Sequence, residues 1–131
     1  MADSINHRIR QIVIETRVVT TLAGSGEEGD ADGTGEEARF DYPSSVATSP
    51  DGTFLFVSES QSRHDMMRGS SPTGGRRIRQ VAVADGTVTT IAVGTSSGAS
   101  FDDPWGVAVS TDGKRLFVAD KNKNRISQIH A

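Results

Sequence analysis

The chain has 131 residues, of which 34% are hydrophobic and 24% charged, with a net charge of −3 and no cysteine. That length fits one domain, lean in core-forming side chains. It excludes disulfides, zinc–thiolate sites and cysteine nucleophiles, and the mild acidity argues against a nucleic-acid partner, which would need a basic face.

No run of 18 apolar residues is present, so no membrane span is expected. The opening MADSINHRIRQI lacks an apolar h-region, so no secretory signal is visible and a cytoplasmic setting is the default expectation.

In chain order, residues 8–23 (RIRQIVIETRVVTTLA) are β-branched with a polar break at Glu15-Thr16-Arg17, which predicts two short strands and a tight turn. The pattern returns at 77–92 (RIRQVAVADGTVTTIA) at an offset of 69, with Asp85-Gly86 as a stronger hairpin signal. A third copy of its first strand occupies Arg125–Ile129.

Residues 24–39 (GSGEEGDADGTGEEAR) form a glycine-rich acidic segment, in which neither strand nor helix is expected. Phe40–Val57 (FDYPSSVATSPDGTFLFV) follows and is echoed by Phe101–Val118 (FDDPWGVAVSTDGKRLFV), the two agreeing at 11 of 18 positions. Each copy reads as strand, Asp-Gly turn, strand, because glycine accepts positive φ and, in the first copy, Pro50 presets φ. Between Val57 and Ile78 the first copy carries 13 more residues than the second, as an insertion within 61–75 containing Arg63, His64 and Arg68.

Four strands therefore make one unit: A (46–49), B (54–57), C (78–83) and D (88–93). Short strands joined by Asp-Gly turns and repeated in tandem predict an all-β fold of four-stranded antiparallel blades. Strand A occurs twice, B twice, C three times and D twice. The organisation is a partial blade at 1–23, the acidic interblade segment at 24–39, a complete blade at 40–94 and a partial blade at 95–131. One full blade flanked by two partial ones makes an incomplete ring.

The string F-x-x-P-x-x-V-A-x-S-x-D-G-x-x-L-F-V, then A-D, N-x-R-I-x-Q-I, V-T-T-L-A-G and G-x-x-D-G-x-G-x-x-A-x-F, resembles the NHL repeat of β-propeller proteins. The resemblance covers nearly everything except the insertion, and Ser58-Glu59 depart from its Ala-Asp. It implies a closed ring, commonly of six blades. About two blades cannot close one, so the chain is expected either to be a fragment of a longer propeller or to self-associate through open blade edges, three copies giving six blades.

Asp30-x-Asp32-Gly33 has part of an EF-hand pattern, but Arg39 stands where the bidentate Glu is required. Asp30 and Asp32 thus remain only as candidates for a non-EF cation site, against the preferred reading of a metal-free connection. His7, aligned with Asn124, is expected to be a polar surface residue. His64 and His130 do not fall on a channel strand either, so the metal-binding lyase activity known among NHL-like proteins is not implied, and no cofactor is expected. The recurring Arg8, Arg10, Arg77, Arg79 and Arg125 are expected to be solvated or to bond between blades; a basic stripe reading RNA is the alternative.

Connections D-to-A and B-to-C share one end of an up-and-down blade. The acidic segment and the insertion should therefore project from one face, leaving only tight turns on the other. Loops on rigid scaffolds carry binding. The expected interaction face comprises Glu27, Glu28, Glu36, Glu37, Arg63, His64 and Arg68, with Tyr42 and Trp105 at the entries to strand A. The functional expectation is a non-catalytic module that binds protein, with an RNA-binding propeller or a lyase- or lactonase-type propeller enzyme as alternatives.

Overall fold

A computed structural model describes residues 1–60, 76–94 and 103–130. It contains eleven strands: β1 (Ala2–Asp3), β2 (Arg8–Ile12), β3 (Val19–Ala23), β4 (Gly33–Thr34), β5 (Pro43–Thr48), β6 (Phe54–Glu59), β7 (Arg77–Ala82), β8 (Thr87–Val93), β9 (Pro104–Val109), β10 (Arg115–Asp120) and β11 (Arg125–His130). They form three antiparallel sheets, ordered β1-β2-β3, β4-β8-β7-β6-β5 and β11-β10-β9. The central sheet is a complete up-and-down blade, and the others are its truncated neighbours. There are therefore three blade positions, and the ring is open. The insertion at 61–75 lies outside the described residues. Among the described residues, no helix is long and apolar enough to cross a membrane.

The Asp-Gly turns are built as their chemistry demands. Asp51 Oδ1 accepts from the Ser49 hydroxyl at 2.7 Å and from the Thr53 amide at 3.0 Å. Asp112 is bonded in the same way by Ser110 Oγ and by the Lys114 amide. These donors hold the Asp51 carboxyl down at about 2 and lower that of Asp112. In the C-to-D turn, Gly86 has φ +75, and a Cβ there would collide with the Leu22 carbonyl oxygen of β3. Only glycine lets this turn press against the preceding blade.

Alternation of side chains along β6 and β7 sends neighbours to opposite faces. Val57 and Val81 join Val88, Ile9, Ala23, Ala38 and Phe40 in a core between the first and second blades. Phe56 and Ile78 turn the other way and join Leu116 and Val118 in a core between the second and third. Each of the larger side chains among these contributes about 1.5–3 kcal/mol when fully buried. β-Bulges recur at matching places, between Ile9 and Arg10 and between Ile78 and Arg79. Because a bulge re-aims the side chains beside it, the same deviation sets Arg10 and Arg79 at equivalent positions.

Two local expectations are corrected. The 24–39 segment is not without regular structure: β4 pairs with the outer strand β8, Gly33 opposite Val88 and Thr34 opposite Thr87, and a 3-10 turn follows at Gly35–Glu37. Its glycines allow tight turning, but long-range partners fix the path. Gly35 N–H donates to Gly86 O at 3.0 Å, and Ser25 N–H to Ala38 O at 2.9 Å. The segment consequently runs along the outer edge of the full blade instead of projecting freely from one end. His7 is not a surface residue either; it is 8% exposed, with φ +53. Its Nδ1 accepts the Tyr42 amide at 3.2 Å and its ring meets Tyr42 edge-on at 4.6 Å, joining the first blade to the second.

Candidate functional site: an arginine-latched acidic loop

Besides the β4–β8 pairing, the acidic segment is tied to the full blade by a buried side chain that reaches several of its residues. Arg79 is fully buried. Its Nη1 donates to Glu59 Oε1 at 2.9 Å and to Arg39 O at 2.8 Å, and its Nη2 to Ala31 O and Asp32 Oδ1, both at 3.0 Å. The guanidinium lies 5.2 Å from the centroid of the Phe40 ring. A planar fork with five donors suits this task, since it bonds several acceptors at once while stacking on an aromatic face. The loop is thus held at both of its flanks, near Ala31 and near Arg39, by a residue on the blade's third strand.

Glu59 completes the latch. Its Oε1 also accepts the Asp41 amide at 3.0 Å, where the chain enters β5. Asp120 does the equivalent for the Asp103 amide in the third blade, at 3.1 Å. Burial pushes the Glu59 carboxyl up to about 7, against the pull of Arg79 and the Asp41 amide. Its Oε2 and the Arg79 Nε are buried without a hydrogen-bond partner, which is the cost of placing an ion pair in this core.

Around the latch the other acids are paired or exposed. Asp30 meets Arg77 at 3.0 Å, and Asp32 accepts from Thr90 Oγ1 at 2.8 Å as well as from Arg79. Burial raises the Asp32 carboxyl, but the bonds from Thr90 and Arg79 outweigh this and leave it lowered. The candidate cation ligands Asp30 and Asp32 therefore face arginines, and no group of three or more metal-binding side chains gathers among the described residues. Glu27 reaches Arg39 at 2.9 Å. Glu28, Glu36 and Glu37 are solvent-exposed.

The recurring arginines are neither all solvated nor arranged as an open stripe. Arg8 donates to Ser25 O at 3.2 Å, Arg10 to Thr21 Oγ1 at 2.5 Å with Asp3 at 3.4 Å, and Arg125 lies 3.6 Å from Asp120. Arg10, Asp3 and Thr21 occupy the positions of Arg79, Glu59 and Thr90, a smaller version of the latch. In the third blade Ser127 stands at that position, and the connector before that blade carries no acid between 94 and 100. Long acid, arginine and acidic connector thus occur together. The departure at Glu59 was visible in sequence; its partner was not recognised because the arginines were weighed as one repeated class.

Of the remaining expected site residues, Tyr42 is half-buried against His7, whereas Trp105 is exposed with Lys121 Nζ 4.8 Å from its ring centroid. The Trp105 carbonyl accepts Ser44 and Ser58 hydroxyls at 3.0 and 2.7 Å, linking the second and third blades. Arg63, His64 and Arg68 lie outside the described residues. The opposite face is not bare: a cleft of about 350 Å³ opens there between the two Asp-Gly turns, with Pro50, Phe54 and Phe56 on its wall and Asp51 and Asp112 at its rim.

Residues 101–129 match the family model described as NHL repeat. The chain carries an NHL repeat. Over 96% of its length it is similar to NHL repeat-containing protein 2 of Bos taurus and of Homo sapiens, at 25% and 26% identity. It spans only 18% of the length of those relatives. Among solved structures, a Bacteroides thetaiotaomicron protein of unknown function superposes on 99% of the chain with a TM-score of 0.73 at 20% identity, the chain covering 31% of it. An auxiliary nutrient binding protein from Bacteroides ovatus gives 0.67 at 18% identity over 95% of the chain, which covers 32% of it. These likenesses show the fold: tandem four-stranded β-blades in an open arrangement.

Proposed function

We propose that the chain is a non-catalytic protein-interaction segment of an NHL-type propeller scaffold, and that its recognition surface is the latched acidic loop. One observation carries this reading: Arg79 fixes a connector whose Glu28, Glu36 and Glu37 side chains point to solvent, with Glu27 beside them. A loop ordered in advance loses little conformational freedom on binding. Fixed negative charge selects a partner with a basic surface and speeds its encounter. The recurring arginines Arg8, Arg10, Arg77, Arg79 and Arg125 are engaged by the protein's own carboxylates and carbonyls, which supports a protein partner over RNA. The carboxylates of the A–B turns and of the latch are likewise tied into structure, which supports a binding role over a lyase- or lactonase-type reaction.

The test is fluorescence anisotropy with a Lys/Arg-rich 15-residue peptide at low salt. The wild-type chain is expected to bind it, and a Glu27/Glu28/Glu36/Glu37→Gln variant to bind at least tenfold more weakly with unchanged folding. Equal binding by the two would remove the loop as the recognition surface. Retention of single-stranded RNA at low salt by the wild type would favour the RNA-binding alternative.

A further inference from the structure

The cleft between the two Asp-Gly turns takes no part in the latch. All of its lining belongs to the joint between the second and third blades. Pro50, Phe54 and Phe56 supply an apolar wall, and Phe54 is 37% exposed. A Cβ on Gly113 would stand 3.4 Å from Pro50 Cδ, so the two turns lie in near contact. Three polar groups border this wall with bonding capacity to spare. Asp51 takes the Ser49 hydroxyl, the Thr53 amide and the Thr53 hydroxyl all on Oδ1. Asp112 takes the Ser110 hydroxyl and the Lys114 amide on its own Oδ1. Oδ2 of each carboxylate receives no bond from another of the described residues, and the half-buried Gln80 carboxamide has no partner among them. Both carboxyls are lowered and therefore charged at neutral pH. Lys114 and Arg115 share a turn with Asp112 but do not line the cleft.

From this we infer that the cleft binds a small organic cation, an amine or amidine carried on a flat aromatic body. Its charged group meets Oδ2 of Asp51 and Asp112, and its ring lies against Phe54 and Pro50. A volume of about 350 Å³, with apolar walls and a few convergent polar groups, suits a small molecule. The rim selects the sign of the ligand, because an anion would face two unpaired carboxylates. The wall selects a ring over a bare ion, because aromatic faces attract both a second ring and a cation. A group rich in N–H donors also satisfies the Gln80 carbonyl. The inference does not depend on what the acidic loop binds: Lys and Arg side chains of a basic peptide bring charge without a ring.

The probes are benzamidine, its neutral near-isostere benzamide, benzoate and the guanidinium ion, each titrated at millimolar concentration into the full chain. Backbone amide chemical shifts report the site. Benzamidine is expected to shift the amides of residues 49–54 and 112–113 saturably, with benzamide at least tenfold weaker and neither benzoate nor guanidinium saturating. An Asp51→Asn/Asp112→Asn variant keeps Oδ1 for the turn donors and puts an amide nitrogen at the other position. It should bind benzamidine at least tenfold more weakly, whereas the Glu27/Glu28/Glu36/Glu37→Gln variant should bind it as the wild type does. Phe54→Ser, which alters neither carboxylate, should weaken benzamidine as well, and it decides the matter should the double variant loosen the turns. No saturable shift with benzamidine overturns the inference. So do equal binding of benzamide, equal shifts from guanidinium alone, and cleft variants with wild-type affinity.

Discussion

Replacing Arg79 by methionine tests the latch most severely. Methionine keeps an unbranched side chain of related length but removes all four bonds at 2.8–3.0 Å. Glu59 would then keep only the Asp41 amide while fully buried, and breaking a buried pair on one side costs about 3–5 kcal/mol. Ala31 O, Arg39 O and Asp32 lie nearer the surface, where water compensates them, so they add less. The expected loss in urea unfolding is therefore about 3–4 kcal/mol, a large share of the ~5–15 kcal/mol stability of a typical domain. Hydrogen exchange of the amides at 31–39 should accelerate more than that of β6 and β7, because the loop loses the buried guanidinium that bonds it at Ala31, Asp32 and Arg39. Arg79→Lys keeps the charge without the fork, and about half the loss is expected. A Glu59→Leu/Arg79→Met double variant should recover most of it, since the uncompensated carboxylate is gone. A single-variant loss below about 1 kcal/mol, with unchanged exchange in the loop, would refute the reasoning.

Further expectations rest on individual groups. Glu59 has a folded pKa of about 7, above its value in an unfolded chain, so the native state binds the extra proton between about pH 4.5 and 7. Stability should accordingly rise as pH falls from 8 to 5, by about 2 kcal/mol, and a Glu59→Gln variant should lack that rise in its melting profile. Asp51 and Asp112, with lowered pKa values, act in the opposite sense and only below about pH 4, where their turns should loosen. Gly86→Ala combines positive φ with a backbone collision at Leu22 and should cost about 2–3 kcal/mol by chemical denaturation. Ile78→Ala, which empties the core between the second and third blades, should cost about 2–5 kcal/mol.

Most of the strand framework was legible because its signals are local. Asp51-Gly52, Asp85-Gly86 and Asp112-Gly113 announce their turns, and β-branched alternation announces the strands between them. The open ends were legible too, since strand types could be counted against one another. The path of the acidic connector was not, because glycine-rich composition permits many paths. The one adopted is selected by Arg79, Thr90 and Gly86, which lie some 50 residues away in sequence. His7 was misread for a related reason: its burial follows from left-handed backbone geometry and from Tyr42 on the next blade, neither of which local composition records. The pairing of Glu59 with Arg79 was half visible, in that Asp120 and Ser127 stand at those positions in the third blade.

The claim that matters most is that the latched acidic loop, and not the cleft between the Asp-Gly turns, is the surface that meets a partner. Titration of the full chain with the Lys/Arg-rich peptide, followed by backbone amide chemical shifts, addresses it directly. Shifts are expected to concentrate at Glu27, Glu28, Glu36 and Glu37, with β7 reporting through Arg79. Shifts gathered instead at Asp51, Phe54 and Asp112, or an unperturbed spectrum at saturating peptide, would contradict it.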